Sequence, residues 1–259
     1  CCVLLPQGSA DSFELARSLL THGADPNVRI TWKEIPFDEY SGAVRLPTDI
    51  RMGRTYISLV GATPFFLAAK GSDVPYMRLL LAHGADPGLS TVQKVTPLMA
   101  AAGMGFWDSE SAAPQNGSPE SDTLEAVKLC VDLGADVNAT TDFGDTVIEG
   151  DGQQLRRRHP FNLRRFPETA LGDMRWDRST AMHGAALRGA TTVISYLAER
   201  GGRLDARNRI GWTPFVVAEG VLVGNAERRW PQAAAHIRRL MEDRGIWTDA
   251  IADPSLAAH

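Results

Sequence analysis

Between residues 61 and 88 the chain carries two short apolar runs, and each has the three- and four-residue spacing of one helix face. Thr63-Pro64 opens the first run, with threonine suited to the N-cap and proline to the first turn, where its missing N–H is not needed. Ala68 and Ala69 are small and allow a neighbouring helix to approach closely. Gly84 follows the second run, where a helix C-terminus favours positive φ. The pattern therefore predicts two short helices joined by a turn.

The same features recur along the chain at a fixed interval. Thr63 and Thr96 are 33 residues apart, as are Thr180 and Thr213, whereas Thr96 and Thr180 are 84 apart. Proline and an apolar residue follow each threonine except Thr180, which opens Thr-Ala-Met-His. A Gly-Ala-Asp triplet begins at Gly23, Gly84 and Gly134, and a degenerate copy begins at Gly201. A period of 33 with these two landmarks resembles the ankyrin repeat family.

The resemblance implies an all-α repeat solenoid of about five helix-turn-helix units, each completing its core against its neighbours. We expect a single domain over residues 1–259 with long finger and loop insertions. The predicted repeats are a partial unit at about 1–27, units at 61–88 and 178–206, and interrupted units at 94–138 and 211–245. The insertions fall at 28–60, 104–122, 140–177 and 221–231, and residues 246–259 form a short tail that serves as a cap.

The insertions at 28–60 and 140–177 fall where the family carries its β-hairpin fingers, and both are rich in apolar and aromatic residues. We therefore expect them to fold onto the solenoid or onto each other. Residues 104–122 have the composition of a surface loop. The insertion at 140–177 holds an acidic segment and then a basic one that includes Arg157 and Arg158. The basic segment either binds an acidic partner or pairs with the acidic segment, and both interpretations stay open.

Four of the six tryptophans lie in the insertions, at Trp32, Trp107, Trp176 and Trp230. Tryptophan is favoured at binding hot spots because it offers a large contact area with few rotatable bonds. A long loop also needs a small core of its own, and a tryptophan can anchor it to the scaffold. Both roles stay open for these four residues.

Composition restricts the function classes. A net charge of -4 disfavours a dedicated nucleic-acid binder, and no apolar run approaches the ~18 residues of a membrane span. Three cysteines form no disulfide framework and match no zinc spacing, which favours the cytosol. An N-terminal cysteine keeps a secreted or lipid-anchored form open. The excess of arginine over lysine, together with the interrupted repeats, suggests a bacterial protein.

The chain contains no P-loop, no Gly-x-Ser-x-Gly, no His-Glu-x-x-His and no Gly-x-Gly-x-x-Gly motif. We therefore expect no catalytic residues, no metal ligands and no cofactor. His183, in Thr-Ala-Met-His, matches the family's structural histidine, whose ring bonds the backbone and the threonine across the turn. Cys130 lies between apolar residues on a predicted helix and is interpreted as a buried structural thiol.

The leading hypothesis is a non-catalytic protein-interaction module, a scaffold or adaptor that binds another protein through its concave face and fingers. We expect Trp212 either to be exposed beside Arg188 or to pack beneath the second finger. The alternatives are an enzyme or small-ligand binder with a site built from 28–60 and 140–177, and self-association through an uncapped N-terminal end. The candidate contact residues are Lys70, Leu187, Arg188, Trp212 and Glu219 on the concave face, and Trp176, Arg157 and Arg158 in the fingers.

Overall fold

The computed structural model describes residues 12–30, 57, 59, 61–105, 118–143, 176–223 and 226–252, without the side chains of 222–228. Within these ranges it contains ten helices and one antiparallel hairpin. The helices are α1 (Ser12–Thr21), α2 (Pro64–Lys70), α3 (Val74–Ala82), α4 (Pro97–Ala102), α5 (Glu120–Asp132), α6 (Ala181–Arg188), α7 (Thr191–Glu199), α8 (Pro214–Glu219), α9 (Pro231–Asp243) and α10 (Asp249–Ala252). The hairpin pairs β1 (Val221–Val223) with β2 (Ala226–Arg228).

The helices stack in two layers. An inner layer runs α2, α4, α6 and α8, and each of these helices packs against the next. An outer layer runs α1, α3, α5, α7 and α9, again with successive contacts. Small residues fill the inner layer and are completely or almost completely buried, among them Ala68, Ala69, Ala101, Ala185 and Ala218. The predicted all-α repeat solenoid is therefore confirmed, with the short hairpin after α8 as an addition.

Three inner helices begin with the same cap. The hydroxyl oxygens of Thr63, Thr96 and Thr213 accept the backbone N–H of the residue three positions on, at 3.2, 3.2 and 3.3 Å. A proline follows each threonine in the first helical turn. The predicted capping role of the Thr-Pro pair is therefore confirmed, and it fixes the starting point of each inner helix.

Closed necks join the two finger insertions to the solenoid. Ile30 N–H donates to the Ala62 carbonyl at 2.9 Å, and Gly61 N–H donates back to the Ile30 carbonyl at 2.8 Å. At the second insertion Thr141 N–H donates to the Ser179 carbonyl at 2.9 Å, and the Thr141 hydroxyl donates to the Trp176 carbonyl at 2.6 Å. The chain therefore leaves and re-enters the stack at adjacent points in both cases.

Two asparagine side chains clip neighbouring repeats together at the outer turns. The Asn27 amide donates to the Gly84 carbonyl at 3.0 Å, and its oxygen accepts the N–H of Asp86 at 2.7 Å. Asn138 makes the same pair of bonds to the repeat that follows it, at 3.0 and 2.9 Å. Each clip holds two repeats that are separated by a long insertion in the sequence.

The tail covers the end of the inner layer. Helix α10 packs against α8, and the Thr213 hydroxyl donates to the Ile251 carbonyl at 3.0 Å. Trp247, just before α10, meets Phe215 edge to face with ring centroids 4.8 Å apart. The apolar surface that α8 would otherwise leave open is thus closed by residues 247–252.

His183 lies inside the stack and joins two repeats. Its Nδ1 accepts the Thr180 N–H at 3.1 Å and lies 3.0 Å from the Thr180 hydroxyl, while Nε2 lies 3.0 Å from the Trp212 carbonyl. Since Nδ1 accepts a hydrogen bond and a carbonyl faces Nε2, the ring is the neutral Nε2–H form. The predicted structural role of this histidine is confirmed. Burial lowers the pKa of His183 to about 4, against the smaller, opposite effect of the Trp212 carbonyl.

We predict that mild acid destabilises the fold through His183. The unfolded state binds a proton near pH 6.5, whereas the folded ring resists it down to about pH 4. The free energy of unfolding should therefore fall by about 2 kcal/mol between pH 7 and pH 5 from this group alone. Denaturant titrations at both pH values should show a smaller fall for His183→Gln, whose side chain does not titrate. Equal falls in the two proteins would contradict the prediction.

Candidate functional site

Each inner helix in the described residues ends at a glycine, and these ends line up along one edge of the solenoid. The last helical residues are Lys70, Ala102, Arg188 and Glu219, and the glycines that follow them are Gly71, Gly103, Gly189 and Gly220. We call these eight residues the inner-helix rim. Since neighbouring helices pack ~8–10 Å apart, the rim extends over roughly 30 Å.

Lys70 is a buried cation at this rim. Lys70 is only 8% exposed, although it is the last residue of α2. Among the described residues, no carboxylate lies within ion-pairing distance of its ammonium group. Burial, and then the nearby positive charge of Arg188, lowers the pKa of Lys70 to about 8. Lysine is almost never buried unless it is paired, so this residue is held in an unfavourable environment.

Arg188 reaches from its own helix across the preceding repeat. A Cβ at Gly103 would lie 2.6 Å from the Arg188 Cδ, so the arginine stem occupies the space which that glycine leaves open. Its Nη2 then donates to the Ser118 carbonyl at 2.9 Å, and the Ser118 hydroxyl donates to the Gly71 carbonyl at 2.6 Å. Ser118 thereby connects the arginine to the helix end that carries Lys70.

Glu120 lies close enough to Arg188 to affect its charge, and the Glu120 side chain is hydrogen-bonded to Thr192. Its Oε1 accepts both the N–H and the hydroxyl of Thr192 at 2.7 Å. Burial lowers the pKa of Arg188 to about 10, and the charge of Glu120 opposes part of that effect. Two cations and one carboxylate therefore lie in this part of the described structure.

Trp230 fills the space beside the next glycine of the rim, Gly189, as Arg188 does at Gly103. A Cβ at Gly189 would lie 2.6 Å from the indole Cδ2, and the indole Nε1–H donates to the Leu187 carbonyl at 2.8 Å. The residue therefore anchors the segment after the hairpin to the end of α6. Of the two roles left open for Trp230, the scaffold anchor is the one that the structure shows.

The predicted contact residues are distributed over several places. Lys70 and Arg188 come together at the rim, and Glu219 is exposed at its far end. Leu187 is 3% exposed, so the contact predicted for its side chain is wrong, and it offers the rim only its carbonyl. Arg157 and Arg158 lie outside the described residues, as do Trp32 and Trp107.

The prediction that Trp176 contacts a partner is wrong. Trp176 is completely buried, and its ring meets that of Trp212 edge to face at 5.7 Å between centroids. Trp212 is therefore half-buried beneath the end of the second insertion, as one of the two interpretations expected. It does not lie beside Arg188, because it meets His183 near the start of α6, whereas Arg188 ends that helix.

Ser118 and Glu120 were missed by the sequence analysis. Both lie within the predicted insertion at 104–122, where the repeat spacing is lost, and their partners Arg188 and Thr192 lie about 70 residues further along the chain. The Ser118-Pro119-Glu120 sequence, which resembles a helix start, was the one signal that could have located them.

A cleft with a volume of about 390 Å³ lies away from the rim, between the outer helices α7 and α9. Its polar centre is Ser195, whose hydroxyl lies 2.6 Å from His236 Nε2 and 3.1 Å from the Thr191 carbonyl. In the described residues no carboxylate orients the other ring nitrogen, so the third group of a hydrolytic triad is missing there. The pair is better explained as a contact between the two outer helices.

Other reactive groups are accounted for by the fold. Cys130 is buried, and burial raises its pKa to about 12, so the thiol stays protonated and structural as expected. Among the described residues, no cluster of His, Cys, Asp and Glu is placed to hold a metal ion. No helix within the described ranges is long and apolar enough to cross a bilayer.

Comparison with known families agrees with this architecture. Residues 60–92 match the model of the ankyrin repeat, and this segment contains α2 and α3. Ankyrin repeats are generally protein-interaction modules without catalytic activity. No curated protein matches the chain in sequence.

We predict that Lys70→Met stabilises the protein at neutral pH. The unfolded lysine titrates near pH 10.5 and the folded one near pH 8, so the charged side chain destabilises the fold below that window. The variant should gain up to roughly 3 kcal/mol at pH 7, and its advantage should shrink as the pH rises from 8 to 10.5. Lys128→Met, at an exposed lysine on α5, is the control and should change little. A loss of stability in Lys70→Met at pH 7 would contradict the account of its burial.

We also predict that Gly103→Ala is more destabilising than Gly84→Ala. Both glycines have positive φ, +117° and +87°, but a Cβ at Gly84 meets nothing within 4 Å. At Gly103 it would lie 2.6 Å from the Arg188 side chain and 2.7 Å from the Gly184 carbonyl. The difference in unfolding free energy, measured with denaturant, should be about 1–3 kcal/mol. An equal loss of unfolding free energy in the two variants would show that the residues around Gly103 are packed less tightly than these contacts require.

Proposed function

We propose that this chain, which belongs to the ankyrin repeat family, binds another protein through its inner-helix rim. The observation that carries the proposal is Lys70, a buried cation for which the described part of the chain supplies no counter-ion. A buried lysine without a counter-ion lowers the stability of the fold. Residues that lower stability in this way are typical of functional sites. The proposed role is that of a non-catalytic scaffold or adaptor.

The dimensions of the rim suit an extended segment of a partner. Its length of roughly 30 Å corresponds to about nine residues of extended chain. Lys70 places a positive charge at one end, and the exposed Glu219 places a negative charge at the other. A partner segment with the complementary order of charges would bind in one direction only, which favours a specific protein over non-specific association.

The finger side of the inner helices gives weaker support for binding. Trp176 is completely buried, and Trp212 packs against it, so the two best aromatic anchors are used within the chain. The necks of the insertions are likewise satisfied by bonds within the stack. The alternative of an enzyme or ligand site built from 28–60 and 140–177 gains no support from these necks.

Affinity capture from a lysate of the source cells tests the proposal. We expect the intact chain to retain one protein in stoichiometric amount, and we expect Glu219→Lys to lose it because that substitution reverses an exposed charge without disturbing the core. Trp212→Ala and Lys128→Met should retain it. Melting curves of all the variants check that each remains folded.

Retention of the partner by Glu219→Lys and Lys70→Met, with loss in Trp212→Ala, would move the binding surface to the finger side. Absence of any retained protein with the intact chain would count against the binding proposal as a whole.

A further inference from the structure

We infer that two copies of this chain associate through the N-terminal end of the outer layer, with α1 of one copy packed against α1 of the other. The surface consists of Leu15 and Leu19 on α1 and of Val28 in the segment that follows, and we call it the end face. All three side chains are exposed. Self-association through this end is one of the alternatives that the sequence leaves open, and it does not depend on binding at the inner-helix rim.

The repeat register identifies the role of the two leucines. When the outer helices are aligned on the glycine that follows each of them, Leu15 corresponds to Tyr76 of α3 and Leu19 corresponds to Leu80. Tyr76 and Leu80 are 7% and 4% exposed, whereas Leu15 and Leu19 are 46% and 44% exposed. The equivalent residues of α5, α7 and α9 are at most 2% exposed, and they are Ala126, Cys130, Val193, Leu197, Ile237 and Met241. Among the described outer helices, α1 alone exposes this pair of positions.

These positions face the preceding repeat. The Tyr76 ring meets the Phe13 ring of α1 edge to face, with ring centroids 5.1 Å apart, so the preceding outer helix covers Tyr76. Leu15 occupies the same position one repeat earlier, on the side of α1 that faces away from α3. The end face therefore continues the interface between repeats, and its burial against another apolar helix is favourable.

The same register gives the opposite result at the C-terminal end of the outer layer. Arg238 and Glu242 of α9 correspond to Met77 and Leu81 of α3, of which the first is buried and the second partly buried. The two charged residues are exposed and form an ion pair at 2.8 Å. A polar outer face of this kind is typical of a repeat that ends a solenoid. The last described outer helix therefore has a terminal surface, and α1 does not.

This difference between the two ends selects the geometry of association. Head-to-tail stacking would place the leucines of one copy against the charged surface of α9 in the next, which is unfavourable. Two copies bury their leucines together when they join through the same face around a two-fold axis. Since Leu15 and Leu19 are one helical turn apart, antiparallel α1 helices bring Leu15 of one copy beside Leu19 of its partner.

The charges on α1 are compatible with this pairing. Glu14 and Arg17 flank the leucines, carry opposite charges and form an ion pair at 3.2 Å within the helix, so two α1 helices meet without a net like charge. The end face is small beside a standard interface of ~800 Å² per partner. The dimer is therefore weak, with a dissociation constant of roughly 10–500 µM.

Sedimentation equilibrium of the full chain tests the inference. With a reductant present, so that Cys1 and Cys2 cannot link two copies, the wild type should change from monomer to dimer between about 1 µM and about 1 mM. Leu19→Gln should raise the dissociation constant at least about tenfold, because each dimer loses this leucine twice. The matched control is Leu133→Gln, at a leucine in the middle of the stack that is 41% exposed, and it should dimerise as the wild type does.

A wild type that is monomeric at about 1 mM would overturn the inference, as would equal dissociation constants for Leu19→Gln and Leu133→Gln. Melting curves of the monomers at low concentration check that both variants remain folded. Because Leu19 is exposed, we expect its replacement to leave the melting temperature of the monomer close to that of the wild type.

Spin labels distinguish same-face pairing from head-to-tail stacking. In a background with Cys1→Ser and Cys2→Ser, Ser18→Cys on α1 and Arg239→Cys on α9 each provide one accessible thiol, since Cys130 is buried. Dipolar coupling between copies should appear for the label at residue 18 and should be absent for the label at residue 239. Coupling found only when the two labelled proteins are mixed would indicate head-to-tail stacking and overturn the inference.

Residues 1–11 are the competing occupant within the chain, and they lie outside the described residues. If they cover the end face, the wild type should stay monomeric, and Leu19→Gln should lower the melting temperature of the monomer while Leu133→Gln does not. That combination would assign the end face to the chain's own N-terminus and overturn the inference. The rim proposal is tested separately by Glu219→Lys, so the failure of either proposal leaves the other standing.

Discussion

The close approach of the inner helices is the constraint on which the rest of this structure depends. Each helix pair leaves one side uncovered and completes its core only against the next pair. Alanines such as Ala68, Ala101 and Ala185 make that approach possible, and they are completely buried in consequence. Larger apolar side chains such as Phe66 and Leu98 are also buried along these helices. The charged residues stand at the helix ends, which is why the chemistry of this protein is concentrated at the inner-helix rim.

Two glycines of the inner-helix rim leave spaces that are filled by side chains of different chemistry. Gly103 and Gly189 leave space at the ends of α4 and α6, and a long side chain from a later part of the chain, Arg188 or Trp230, fills each space. Trp230 fills its space with an apolar ring and a satisfied N–H, which strengthens the scaffold. Arg188 instead brings a positive charge close to Lys70, and this charge lowers the pKa of the lysine. Equivalent positions of the rim are therefore filled by an apolar ring in one repeat and by a charged side chain in another.

The sequence predicted the repeating part of the fold well because its signals are local. The Thr-Pro caps and the 33-residue period locate α2, α4 and α8 without knowledge of tertiary contacts. The candidate site was predicted only in part. Lys70 and Arg188 follow from alignment to the repeat, but the burial of Trp176 and the bridge through Ser118 depend on where distant segments meet in space. Periodicity carries no information about such contacts once an insertion has interrupted it.

The closed necks and the asparagine clips separate the geometry of the stack from the length of its insertions. Thr141 and Ser179 meet through a backbone bond, and Asn138 holds its neighbouring repeat directly, so contacts among the described residues fix the register of the two repeats. Loop-closure entropy rises slowly, by ~0.6 kcal/mol for each doubling of loop length. A segment carrying a new recognition surface could therefore be transplanted inside either neck, with the neck residues and Trp176 kept, while the repeats keep their register.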